Sequence, residues 1–373
     1  MALNREPRVD PAAWAHARNI LCVRLDSMGD VVMTGPAIRA IAALPQTVPR
    51  RRVTLLTSPA GAAVAAMLPA LNDTIAYRAP WMPGGDVDPG SDLRLIDRLA
   101  TRSFDAAVIF TTVNQSALPA ATICRLAGIP LRAAHSRENP YGIVTDWLPD
   151  PRERGEHMHE VLRQLALATA LGGQVDDDRL ALAPPPGSLD VALEVLERAG
   201  VDQHESCLVF HPGAGAASRR YDPASFAAAA DVLAGEGWRI LVTGGAGDRA
   251  EVRAMLEAMR RPAVDLCGLL ALPVLVAVLS HAETVVTNNT GPAHLAAAVM
   301  TPVVDLYALT NLEHTPWRVP SRVLFHDVPC SGCLSSICLT VTHDCLGKVP
   351  PAAVVDAVHE LTARERVVQE ARG

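Results

Sequence analysis

Short apolar runs alternate with helix-forming stretches along this chain, stop at Pro184-Pro185-Pro186-Gly187-Ser188, and then begin again. In the first half, residues 20–25, 53–57 and 106–110 read as strands. Residues 31–43 and 122–130 read as helices, the second ending at Gly128. Strands separated by helices pair in parallel, because a parallel partner needs a crossover long enough to hold a helix. A run of three prolines continues neither a helix nor a central strand, so 184–188 reads as a linker. Beyond it, helices at 190–199, 223–235 and 248–260 alternate with strands at 207–210, 239–243, 284–287 and 302–307. The expectation is an α/β chain of two Rossmann-like domains, 1–183 and 189–350. They would face each other across a cleft at the carboxyl ends of their strands. From Pro351 to 373 the chain reads as an amphipathic C-terminal helix, with Val354, Val355, Val358 and Leu361 on one face.

A chain of 373 residues is too long for one ordinary core. Hydrophobic residues at 49% and charged residues at 20% make it globular, not disordered. A net charge of −7 leaves no broad basic face, which argues against nucleic acid as a partner. Lys348 is the sole lysine, so abundant arginine reflects composition and says little by itself about phosphate binding. Residues 1–11 are charged and lack the apolar core of a signal peptide. The most apolar stretch, 266–279, is too short to cross a bilayer and contains Gly268 and Pro273. A cytoplasmic protein is expected, with peripheral association at the inner membrane left open. Eight cysteines in that compartment read as thiols or metal ligands before disulfides.

Four segments carry chemistry. Thr287-Asn288-Asn289-Thr290-Gly291-Pro292-Ala293-His294 follows an apolar strand and opens an Ala-rich helix. Thr290 suits an N-cap and Pro292 the first turn, and the free N–H groups of such a helix start form an anion site. Arg24-Leu25-Asp26-Ser27-Met28-Gly29-Asp30-Val31 places a carboxylate just after a strand and a turn at Gly29. Asp30 is open to two readings: a helix cap, or a general base for a sugar hydroxyl. His211-Pro212-Gly213-Ala214-Gly215 through Arg219-Arg220 is a small-residue loop followed by two guanidiniums, suited to phosphate oxygens. It has neither the G-x-G-x-x-G spacing nor a Walker lysine. Thr243-Gly244-Gly245-Ala246-Gly247-Asp248 repeats the pattern, and Asp248 is either a cap or a ribose ligand. Separately, Cys330, Cys333, Cys338 and Cys345 stand close enough to hold zinc or an iron–sulfur cluster. Arg132, His135 and Arg137 form a basic cluster along the first half, a candidate for acidic groups of an acceptor or a plain solvated loop.

Taken together, these segments resemble the ADP-heptose:lipopolysaccharide heptosyltransferases, glycosyltransferase family 9. Residues 24–31 look like that family's R-x-S-S-x-G-D-V. Residues 266–269 and 287–295 look like its L-x-G and S-N-D-S-G-P-A-H-L, and Pro302-Val303-Val304-Asp305-Leu306-Tyr307 matches the strand that follows. The four-cysteine segment before a final helix is also similar to many members. The resemblance implies the GT-B fold and an inverting sugar transfer. The donor would be a nucleotide sugar, ADP-heptose first, and the acceptor a glycolipid or glycan of the lipopolysaccharide core. Asp30 would be the base, and Arg219 would hold the diphosphate with Gly213, Asn289, Thr290, Gly291 and His294. Asp248 would lie near the ribose. No cofactor is implied for catalysis. One departure stands out: Asn289 replaces the family's aspartate and removes a negative charge beside the diphosphate. Two rival readings stay open here: a same-fold transferase acting on another envelope glycan or small metabolite, and a metal or redox protein organised by the four cysteines.

Overall fold

The protein is described here by a computed structural model covering residues 9–45, 51–311, 313–340 and 342–370. Residues 1–8 of the expected signal-free terminus and 371–373 of the expected tail helix lie outside the described residues. The chain divides into two compact units, Met1–Ala183 and Pro184–Gly373. The first holds β1 (Asn19–Arg24), β2 (Arg52–Thr57), β3 (Asp73–Ala76), β4 (Ala106–Ile109), β5 (Leu131–Ser136) and β6 (Asp146–Pro149). They form one sheet in the order β3-β2-β1-β4-β5-β6, every pairing parallel. The second holds β7 (Cys207–His211), β8 (Arg239–Val242), β9 (Val264–Asp265), β10 (Thr284–Asn288), β11 (Val303–Leu306) and β12 (Ser321–Leu324). Their order, also all parallel, is β12-β11-β10-β7-β8-β9. Numbered within its own unit, each sheet runs 3-2-1-4-5-6, the doubly wound Rossmann order.

Helices cover both faces of such sheets, so the inner strands are apolar and buried along their length. Every residue of β4, β7, β10 and β11 is buried. In the second unit Phe226, from the helix Pro223–Gly235, packs edge-on against Phe210 and Tyr221 with ring centroids 6.3 and 5.0 Å apart. The tail helix Pro351–Glu370 places Val354, Val355, Val358 and Leu361 in this core. Burying each such side chain contributes roughly 1.5–3 kcal/mol.

The differences from expectation lie in the shorter strands and at helix ends. Strands β3, β5, β6, β9 and β12 carry too little apolar alternation to stand out in sequence. The expected helix at 122–130 is Leu118–Leu126, with Pro119 in its first turn and Gly128 beyond its end at φ +79°. The helix expected from residue 31 begins at Met28, so Gly29 is helical and the turn is made before it. No helix among the described residues is long and apolar enough to cross a membrane.

Candidate active site

In a doubly wound sheet, ligands gather where the strand order reverses, outside the carboxyl ends of the two central strands. In the first unit that point lies between β1 and β4. β1 ends in Arg24, and Ser27 caps the helix Met28–Ala42. Asp30 is the third residue of that helix, not its cap. Its Oδ2 accepts from Ser27 N at 3.1 Å and Ser27 Oγ at 2.6 Å, closing a reciprocal capping box. Its Oδ1 lies 3.2 Å from Arg24 Nη2, and the side chain remains 13% exposed. The carboxylate is therefore fixed in direction yet reachable.

Arg24 is wholly buried, and sequence reading gave it no role of its own. Its Nη2 also meets Glu160 Oε1 at 2.8 Å, and its Nε meets Asp26 Oδ2 at 2.8 Å. Burial works against the Arg24 cation, but Asp26, Glu160 and Asp30 more than offset it and raise its pKa. The helix Glu160–Ala170 backs this cluster with further charged and polar groups. Arg163 pairs with Asp150 at 2.7 Å, and Gln164 Nε2 donates to Glu160 Oε1 at 2.7 Å and to Thr111 O at 2.9 Å. Gln115, after β4, donates its amide to Asp26 Oδ1.

Burial divides the basic cluster expected to meet an acceptor. Arg132 is buried, and its guanidinium donates to the backbone carbonyls of Ile129, Pro130, Gly142 and Ile143. His135 is buried with Nε2 2.9 Å from Arg163 O, and burial together with the Arg163 charge pushes its pKa down to about 4. Both sit on β5, an inner strand, with ring or guanidinium nitrogens engaged by backbone carbonyls. Arg137, just past the strand, is exposed.

In the second unit the order reverses between β7 and β10, where the two Gly- and Asn-bearing loops meet. Asn288, fully buried at the end of β10, joins them. Its Oδ1 accepts from Tyr221 N at 2.9 Å, and its Nδ2 donates to Pro212 O at 2.7 Å and to Gly213 O at 3.4 Å. Gly213 is obligatory: a Cβ there would lie 2.2 Å from the Asp248 carboxyl. Asp248 Oδ2 accepts from Gly245 N at 2.8 Å, within the 3-10 turn Ala246–Asp248, and lies 3.8 Å from His211 Nε2; at the N-cap of the following helix Arg249–Ala258 its side chain makes no capping bond. Burial pushes His211 down to about 4 against the pull of Asp248.

Thr290 occupies the N-cap of the helix Gly291–Ala298, but its side chain makes no capping bond. Those first-turn N–H groups thus have no side-chain oxygen from the cap to satisfy them, and Thr290 and Gly291 are partly exposed. Asn289 and His294 are buried beside them. Arg219 ends the short 3-10 turn Ala217–Arg219 and is half-buried, whereas Arg220 is spent on Glu251 at 2.6 Å and Ala214 O at 2.9 Å. Sequence reading missed Asp305 on β11. It is fully buried, and burial raises its pKa well above the ordinary carboxylate range, with the Arg219 charge opposing.

The four cysteines lie on a segment that braces the Arg219 loop. Ser218 Oγ donates to Ser335 O at 2.7 Å, Ser218 N donates to Ser336 O at 3.0 Å, and His343 Nε2 lies 2.6 Å from Ser218 O. Cys330 and Cys333 are exposed, and Cys338 and Cys345 are half-buried. Burial first, and then Cys338 and Cys330, raise the Cys345 thiol, so these three are neighbours. Among the described residues no three of the sulfurs come within 4.8 Å of one another, so the segment is not a preformed metal centre.

Comparison with known proteins converges on one family. The sequence model of glycosyltransferase family 9 (heptosyltransferase) matches residues 93–341. Lipopolysaccharide heptosyltransferase 3 of Escherichia coli is 32% identical over 157 residues, 41% of this chain; the match spans 45% of that relative's length. Lipopolysaccharide heptosyltransferase 1 of Pseudomonas aeruginosa is 27% identical over 329 residues, covering 86% of this chain and 87% of the relative. The crystal structure of a family 9 glycosyl transferase from Veillonella parvula superposes with a TM-score of 0.78 at 17% identity, covering 93% of this chain and 98% of that one. That likeness is one of fold, the GT-B fold built on two Rossmann-like domains. With two thirds of its length under the family's own model and both switch points furnished as described, the chain belongs to glycosyltransferase family 9.

Proposed function

We propose that the protein is an inverting glycosyltransferase that moves a sugar, heptose from ADP-heptose, to a hydroxyl of a lipopolysaccharide-core-type acceptor. The observation that carries this reading is Asp30: a carboxylate at a switch point, held by three donors and still open to solvent. Asp30 takes the proton of the acceptor hydroxyl, and that oxygen forms the new bond to the anomeric carbon. The bond from that carbon to the diphosphate breaks with its electron pair on the leaving oxygen. The charge left there is stabilised by Arg219 and by the N–H groups at Thr290 and Gly291. Gly213 and Asn289 shape the loops around it, and His294 lies one helical turn in. These groups supply the electrostatics that a metal would otherwise supply, so the reading includes no cofactor for catalysis. The protein would work in the cytoplasm, at the inner face of the membrane that carries its acceptor. Family membership takes the place of the redox-protein reading, while another glycan or small metabolite remains the rival acceptor.

The test is Asp30→Asn, assayed with ADP-heptose and a heptose-deficient lipopolysaccharide core saccharide. Loss of a general base should lower kcat by about 10²- to 10⁴-fold. Donor affinity, followed by thermal shift, should stay within about threefold, since a ligand at 100 times its Kd adds about 2.7 kcal/mol to stability. Unchanged turnover removes Asp30 from the role.

The cysteines admit a structural metal. Because their segment is bonded to the loop of Arg219, an ion drawn in by Cys330, Cys338 and Cys345, with Cys333, would stiffen that loop. Metal analysis of the purified protein against Cys333→Ser tests this; absence of metal in both ends the reading.

A further inference from the structure

Asp30 does not have Arg24 to itself. One guanidinium with no exposure to solvent serves three carboxylates, at 2.8 Å (Asp26), 3.2 Å (Asp30) and 2.8 Å (Glu160). Glu160 has further support, with Arg163 at 3.9 Å and the amide of Gln164. Asp26 has one charged partner in its unit, Arg24, with the neutral amide of Gln115 on its other oxygen, and its side chain is 5% exposed.

Two anions that share a cation are coupled. Each draws on the field of the guanidinium and makes the other harder to ionise. A base paired privately with a buried arginine would be a poor proton acceptor, because the arginine favours its ionised form. We propose that Asp26 is a positioning residue for the transfer reaction: by occupying the Nε edge of Arg24, it keeps that guanidinium from quenching the basicity of Asp30, and it withdraws this support when it is protonated. The inference rests on the reading of Asp30 as the base.

The groups facing Asp26 come from every element packed on it. Arg24 comes from β1, Asp30 from the helix Met28–Ala42, Glu160 from the helix Glu160–Ala170 and the neutral Gln115 from the segment after β4. Burial lifts the Asp26 carboxyl to about 6; Asp30 and Glu160 add to the lift, and Arg24 and Gln115 oppose it. Asp26 is thus an anion at neutral pH and loses its charge as the pH falls through about 6. Its support for Asp30 is present above that pH and absent below it.

Asp26→Asn imitates the protonated form at every pH. With ADP-heptose and the heptose-deficient core saccharide, the ratio of wild-type to D26N kcat should be near one at pH 5. By Brønsted behaviour it should rise to about fivefold at pH 7.5, with KM for the donor unchanged within about twofold. Asp26→Glu should recover part of the difference. A ratio that does not change with pH overturns the proposal, because a merely structural Asp26 would lower the rate at every pH alike. If D26N does not fold, Gln115→Ala, which removes the amide donor to Asp26, should move the upper step of the acid limb to higher pH; an unmoved step has the same force against it. A measurement without substrate is also available. The side-chain carboxyl ¹³C resonance of Asp26, identified by its response to Q115A, should titrate at lower pH in D30N than in wild type, and identical titrations overturn the coupling. Failure of the base role shows separately, as turnover retained by D30N.

Discussion

The two sheets share one strand order, and the loops at their switch points have opposite chemistry. In the first unit the point is crowded with charge: Asp26, Asp30 and Glu160 converge on Arg24, with Asp150 and Arg163 behind them. In the second, Pro212, Gly213, Asn288, Asn289, Thr290 and Gly291 meet at the point with a single carboxylate, Asp248, and the neutral-leaning His211 beside Gly213, and Arg219 stands farther along its loop. Strand order fixes where a site can form, and the loops decide what it does. A proton acceptor needs a strong, arranged field of charges. An anion holder needs small residues, exposed N–H groups and few carboxylates, because each added anion would repel the ligand.

The sharpest way to break this contrast is to remove the cation that the first unit depends on. Arg24→Met leaves Asp26, Asp30 and Glu160 without their shared partner in a buried site. Breaking a buried pair by removing one member costs about 3–5 kcal/mol. Urea unfolding at pH 7.5 should show that loss. The loss should shrink on the acid side, where Asp26 takes up a proton as the pH passes below about 6. A cost under about 1 kcal/mol at pH 7.5 would mean that the cluster is no more than a set of weakly coupled surface charges.

What was legible in the sequence follows the same division. Apolar inner strands announce themselves, so β1, β4, β7, β10 and β11 were found, and with them the loops that follow. Short edge strands such as Asp73–Ala76 hold no apolar run and were not. Asp30 was visible because it follows a strand and a glycine, but Ser27 rather than Asp30 caps the helix, and one sequence does not tell a first-turn acid from a cap. Arg24 drew no attention because its partner Glu160 lies 136 residues away, a pairing that only the tertiary structure reveals. Arg132 and His135 show the reverse: basic residues close in sequence look like a patch, yet both are buried on an inner parallel strand.

The second unit's loops are held by a neutral side chain, and removing it sharpens the comparison. Asn288→Ala deletes three hydrogen bonds and leaves Tyr221 N and Pro212 O without that partner in a buried place. Such groups cost about 1–3 kcal/mol each, partly relieved by relaxation, so a destabilisation of about 2–3 kcal/mol is expected by urea unfolding. ADP affinity by calorimetry should fall about tenfold, since the loops that present the N–H groups lose their tie. An unaltered affinity would show that the two loops keep their places without Asn288.

A last test concerns a buried carboxylate of the second unit. Asp305 lies on β11 in register with Thr287, fully buried, with neither carboxyl oxygen hydrogen-bonded to a described residue. Burial raises its pKa well above the ordinary carboxylate value, and Arg219 only partly counters this. The folded protein therefore holds this proton at pH values where the unfolded chain has released it. With more protons bound in the folded state, stability falls as the pH rises above about 4, by about 1.4 kcal/mol for each pH unit over which only the unfolded chain is ionised. Asp305→Asn removes that dependence. The stability of D305N relative to wild type, from urea unfolding, should widen as the pH rises from 4.5. A gap that stays constant would mean that Asp305 is ionised and paired with Arg219 in the folded protein. The second switch point would then be built on a buried ion pair like the first, and the diphosphate would have to compete with Asp305 for its arginine.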